Sequence, residues 1–113
     1  MLTSPLDTAA AAIASEPRRR MIERLVDDSA SVTELADLLG ISVPAALKHV
    51  DRLVDGGLVR RVKRGRVVTV TLVPGSLDGL VEWATRTRLF WTNHLAAYAA
   101  HLGAGNQPSR SEP

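Results

Sequence analysis

Apolar residues along the first half of the chain recur at three- and four-residue spacing, the period of a helix with one buried face. In "SEPRRRMIERLVDD" the stripe is Met21, Ile22, Leu25 and Val26, with Ser15 as N-cap and Pro17 tolerated in the first turn. In "SVTELADLLGIS" it is Val32, Leu35, Ala36 and Leu39; Ser31 and Glu34 have capping-box spacing, and Gly40 supplies a left-handed stop. A short turn leads to a helix from Val43 to about Asp55. There Val43, Ala46, Leu47, Val50, Leu53 and Val54 share one side. Pro44, Ala45, Lys48, Arg52 and Asp55 lie opposite, with His49 at the boundary, and Gly56 and Gly57 end the helix. An earlier helix is signalled by "SPLDTAAAAIA": Ser4 as N-cap, Pro5 at the first helical position and Asp7 in the first turn. Its body is nearly all alanine around Leu6 and Ile13, smooth enough for another helix to approach closely.

After Gly57 the period changes to two. In "LVRRVKRGRVVTVTL", Val68, Val70 and Leu72 point one way and Val67, Thr69 and Thr71 the other, with Gly65 at the reversal of a hairpin. Pro74 and Gly75 then separate a long last helix capped by Ser76, on which Leu77, Leu80, Ala84, Trp91, Leu95, Tyr98 and Leu102 form an apolar stripe. At about 26 residues it is roughly 39 Å long, more than one small domain can cover. A second copy of the same helix is the simplest partner. The tail 103–113, "GAGNQPSRSEP", reads as disordered, which leaves one folded domain over residues 1–102. The expected fold is mainly α with a small β-hairpin: four helices, two strands and a final helix. Two short helices joined by a Gly-containing turn and followed by a hairpin make a winged helix-turn-helix.

Charge changes the picture through its location. The chain has 113 residues, 45% of them apolar, and a formal net charge of only +2. Yet the segment from Ile41 to Leu72 holds seven of the fourteen Lys and Arg residues and two of the twelve Asp and Glu residues. Lys63, Arg64 and Arg66 surround the hairpin turn, making a basic wing over 59–72. A helix with small outward residues near its start can enter a major groove about 12 Å wide. Lys48 there reaches a base edge or the backbone, and the wing cations reach a neighbouring phosphate strand. Each phosphate neutralised releases counterions, so affinity falls as salt rises. Arg18, Arg19 and Arg20 make a second basic run, read either as solvated charge or as a contact to a phosphate or carboxylate.

Cysteine is absent, which excludes disulfides, thiolate metal sites and thiol catalysis. No apolar run approaches a membrane span and no signal segment is present, so the expected location is the cytoplasm. No Gly-rich phosphate loop and no supported carboxylate pair point to an enzyme.

"SEPRRRMIERL", "SVTELADLLGISVPAALKHVDRLVDGGLV" and "RRVKRGRVVTVTL" resemble the ArsR family of bacterial winged helix-turn-helix repressors, and the likeness runs from about Leu6 to Leu102. The resemblance implies a homodimer joined through the first and last helices, with the fourth helix of each copy in successive major grooves. Carried over by position, the DNA-reading surface is Ser42, Val43, Pro44, Leu47, Lys48 and His49, and the wing contacts are Arg64 and Arg66. Arg52 and Lys63 join them on charge and position. Positions 43 and 47 are commonly polar in the family but are Val and Leu here; helical periodicity places both nearer the core, and thymine methyl groups are their alternative partners. The dimer interface is expected to use Leu6, Ile13, Leu80, Ala84, Trp91, Leu95, Tyr98 and Leu102.

Metal sensing, the family's best-known activity, is argued against. The third helix lacks the thiolates it needs, and Asp78, Glu82, His94 and His101 do not reproduce the other family site. No cofactor is expected. His49 either donates to a phosphate or base or sits half-buried beside the third helix. Trp83, Phe90, Trp91 and Tyr98 read as dimer core, with a pocket for an unidentified small-molecule effector as the alternative. Two functions compete. One is a dimeric repressor that binds an inverted-repeat operator on double-stranded DNA. The other is a winged-helix protein-interaction module with non-specific DNA affinity.

Overall fold

The computed structural model of the protein describes residues 4–105. Along them lie α1 (Pro5–Ala12), α2 (Glu16–Asp27), β1 (Ala30–Ser31), α3 (Val32–Leu39), α4 (Val43–Asp55), β2 (Val59–Arg64), β3 (Val67–Leu72) and α5 (Asp78–Gly105). This is the expected mainly helical order with one addition. The two residues of β1 pair antiparallel with β3, Ala30 opposite Val70 and Ser31 opposite Thr69, so the hairpin becomes a three-stranded sheet in the order β1-β3-β2. Two units are distinguished, one up to Leu80 and one from Val81 onward.

Local chemistry sets the helix ends. The Ser4 hydroxyl accepts the Asp7 N–H at 3.1 Å. Ser31 and Glu34 form a reciprocal capping box: the Ser31 hydroxyl accepts the Glu34 N–H at 3.0 Å, and the Glu34 carboxylate accepts the Ser31 N–H at 2.7 Å. Those bonds hold the Glu34 carboxyl below its usual range, the backbone bond first. Gly40 ends α3 at φ 67°, letting the Ile41 N–H reach the Ala36 carbonyl and the Gly40 N–H the Asp37 carbonyl. That pair is the Schellman closure a left-handed glycine permits. Two expected caps differ. Ser15 stands at the N-cap of α2 but its hydroxyl makes no capping bond. Ser76 does not cap α5, which begins at Asp78; its hydroxyl donates to the Leu58 carbonyl at 3.2 Å.

Within the first unit, Met21, Leu35, Val50, Leu53, Leu58 and Val70 are fully buried, and the apolar stripes of α2, α3 and α4 meet around them. Leu39, Leu47, Val54, Val68 and Leu72 pack partly against this core. Two stripe positions depart from expectation because they sit at helix ends, beyond the core's edge: Val26 is 65% and Val43 40% exposed. The alanine face of α1 meets the end of α4, where a Cβ on Gly56 would lie 2.7 Å from the Ala12 Cβ and 3.0 Å from the Thr8 carbonyl. The smooth helix is therefore used first inside its own chain.

The hairpin pairs Val59 with Leu72 through Arg64 with Val67, and Gly65 turns it at φ 62°. In β2 only Val59 is buried; Arg60 to Arg64 are exposed along the sheet edge. An edge rich in cations also discourages stray strand pairing.

α5 has 28 residues and, at 1.5 Å per residue, is roughly 42 Å long. It continues to Gly105, three residues past the expected end at Leu102; residues 106–113 lie outside the described part. Residues 81–103 are all exposed, among them Phe90 at 74% and Trp91 at 58%. Trp91 stacks on His94 with ring centroids 5.9 Å apart. Among the described residues no helix is long and apolar enough to cross a membrane.

Candidate nucleic-acid interface

α3, the turn at Gly40 and α4 form the helix-turn-helix, and Ser42 opens its second helix. The Ser42 hydroxyl accepts the Ala45 N–H at 3.2 Å, which leaves the first turn of α4 ordered and facing solvent. Ser42, Val43, Pro44, Lys48 and Arg52 are exposed, as are Lys63, Arg64 and Arg66 around the wing tip. Leu47 is half-buried and packs on the core, in keeping with its helical position. The outward surface therefore begins small and weakly polar, then turns basic.

An ion pair between Arg61 of β2 and Asp51 of α4 joins the wing to this helix. Neither residue was singled out from the sequence, since ten positions separate them across a change of period. Asp51 neutralises one wing cation. Among the described residues Lys48, Arg52, Lys63, Arg64 and Arg66 form no ion pair, so their charge is free for an external anion.

The basic run on α2 is not free charge. Arg18 donates to the Ala12 carbonyl at 2.6 Å and to the Ala11 carbonyl at 3.3 Å, and Arg19 to the Ile13 carbonyl at 2.8 Å. Arg20 donates to the Leu38 carbonyl at 3.2 Å. These arginines thus meet carbonyls at the ends of α1 and α3, where the helix dipole also favours a cation. The expected phosphate or carboxylate partner is replaced by backbone oxygen.

His49 is half-buried, and its neighbour is Arg18 of α2 rather than α3. The Arg18 Nη1 lies 3.2 Å from the imidazole Nδ1. A guanidinium can only donate, so this contact requires Nδ1 to accept, and burial and then the Arg18 charge lower the His49 pKa. A shallow depression of about 510 Å³ is lined by Arg18, Lys48, His49, Asp51, Arg52 and Asp55.

The expected dimer residues fall in two places. Ile13 and Leu80 pack against the core of their own chain, and Leu6 is half-buried. Ala84, Trp91, Leu95, Tyr98 and Leu102 are exposed on α5. Among the described residues no group of three or more His, Cys, Asp and Glu is placed to hold a metal.

Residues 13–62 match the family described as "Helix-turn-helix domain". No curated protein matches the chain in sequence. Solved structures do. An ArsR family transcriptional regulator aligns at 29% identity over 79% of this chain and 98% of its own, with a TM-score of 0.72. An ArsR-like transcriptional regulator from Rhodococcus sp. RHA1 aligns at 29% over 85% and 91%, with a TM-score of 0.71. HlyU from Vibrio cholerae aligns at 29% over 74% and 90%, with a TM-score of 0.61. With its helix-turn-helix and its wing, the chain has the winged helix-turn-helix fold and is similar to transcriptional regulators of the ArsR family.

Proposed function

We propose that the protein is a dimeric, sequence-specific DNA-binding repressor that acts in the cytoplasm by occupying an inverted-repeat operator. The observation that carries this reading is a set of exposed cations on α4 and the wing that form no ion pair among the described residues. The exposed start of α4 (Ser42, Val43, Pro44, Lys48) is followed by Arg52 and flanked by the wing cations Lys63, Arg64 and Arg66. The start of α4 enters the major groove, with Leu47 at its edge and Val43 against a thymine methyl group. Lys63, Arg64 and Arg66 take neighbouring phosphates. His49 contributes by supporting the helix rather than by touching DNA, because its Nδ1 is engaged by Arg18.

The second copy is argued from α5. Trp91, Leu95, Tyr98 and Leu102 recur at three- and four-residue spacing and are all exposed in the single chain. A contiguous apolar stripe of that kind marks an interaction surface. A symmetric pair of α5 helices buries it, and a two-fold dimer offers one α4 helix to each half of an inverted repeat.

A mobility-shift assay with fragments of the native genome, at salt near physiological, tests the reading. The expected result is a discrete shift confined to a few fragments, from a protein that sediments as a dimer. Weak and uniform retardation of all fragments supports the protein-interaction module instead.

A further inference from the structure

We infer that Arg18 is a positioning residue for the DNA-reading helix, holding α4 against α1 through a neutral His49 and releasing it when that ring is protonated. The inference rests on the DNA-binding reading only for its consequence; the contact itself is a property of the free protein.

The geometry is a three-way junction. One guanidinium uses its Nε at 2.6 Å and Nη2 at 3.3 Å to hold the last carbonyls of α1, and its Nη1 faces the His49 Nδ1 on α4 at 3.2 Å. Beside it the α1–α4 seam is tight, since Gly56 follows α4 with no room for a Cβ against Ala12 and Thr8. Arg18 is therefore not a surface charge that happens to lie near a histidine. Its planar fork serves two helices at once, which a lysine's single ammonium cannot reproduce.

The charges around the ring decide what acid does. Lining the same depression as His49 are Arg18 from α2 and, along α4, Lys48, Asp51, Arg52 and Asp55, and α1 presents the Ala11 and Ala12 carbonyls to Arg18. Asp51 is paired with Arg61, and among the described residues no carboxylate pairs with His49 or Arg18. A proton on Nδ1 removes the acceptor and sets two cations face to face, with Arg52 close enough to oppose the Arg18 charge as well. Burial, followed by Arg18, keeps the folded ring below the ordinary value of 6.5. The unfolded chain binds that proton more readily than the fold does. Stability from this source is therefore complete at neutral pH and falls as the pH drops below the ordinary histidine value.

The test uses the full chain. In the free protein, nitrogen NMR of the His49 ring is expected to show the Nε2–H tautomer and a midpoint below 6.5, and Arg18→Gln is expected to move that midpoint upward. An Nδ1–H tautomer, or a midpoint at or above the ordinary value, overturns the contact even if no variant folds. Fluorescence anisotropy on a bound duplex is then followed from about pH 7.5 to about pH 5, across the histidine range. Relative to its own neutral-pH affinity, the wild type is expected to lose more than His49→Gln does. Parallel loss in the two proteins overturns the coupling. If no duplex is bound at neutral pH the DNA-binding reading fails, while the ring titration still decides the junction.

Discussion

At the scale of single residues the chain is economical with its cations. Arg18, Arg19 and Arg20 close helix ends, Arg61 ties wing to helix, and Lys48, Arg52, Lys63, Arg64 and Arg66 form no ion pair among the described residues. A linear pattern shows that charges are clustered, but not what each one faces. The Arg18–His49 contact spans 31 positions and leaves no local spacing to detect. Gly56 was legible only as a helix stop, whereas its larger role is steric. Replacing it with Ala places a methyl 2.7 Å from the Ala12 Cβ. Its φ of −78° is one that any residue adopts, so the gain from a less flexible unfolded chain is about 0.4–1 kcal/mol. Overpacking costs about 1–3 kcal/mol and outweighs it. Gly56→Ala should therefore lower the denaturation midpoint in urea; an unchanged or raised midpoint removes the tight α1–α4 seam from the account.

At the scale of elements, hydrophobic period revealed α2 to α5 and the hairpin, because each repeats its pattern, while α1 was legible through Ser4, Pro5 and Asp7 at its start. The strand β1 escaped because two residues cannot display a period; Ala30 and Ser31 are strand only because β3 lies beside them. Val43 misled the helical wheel for a related reason: a wheel assumes core along the whole helix, and at the first turn of α4 the core has ended. Capping chemistry was more legible, since Ser31 and Glu34 are three residues apart and need nothing else. Ser31→Ala removes the acceptor for the Glu34 N–H and should cost about 1 kcal/mol, read as a lower thermal midpoint. The Glu34 carboxylate accepts its bond more strongly when ionised, and its pKa is lowered in the fold. The box thus contributes at neutral pH and fades as the pH falls through the carboxylate range. A mutant with wild-type stability at neutral pH contradicts this view of how α3 is started.

At the scale of the molecule, a small core built by α2, α3, α4 and the sheet supports the surface proposed to face DNA, and α5 carries exposed apolar residues proposed to meet a second copy. The sequence alone made the surface legible through charge position, and the family resemblance added its geometry. What neither supplied was which cations stay unpaired once the chain folds. That distinction is what the salt dependence of binding measures. On a fragment retained by the wild type, log affinity should fall linearly with log salt, by about 0.9 per phosphate neutralised. If Arg64 and Arg66 each hold one phosphate in both protomers, changing both to Ala should flatten that slope by roughly 3.6 and weaken binding to all sequences alike. A double variant that binds the same fragment with the wild-type slope and affinity would contradict the proposed footprint outright.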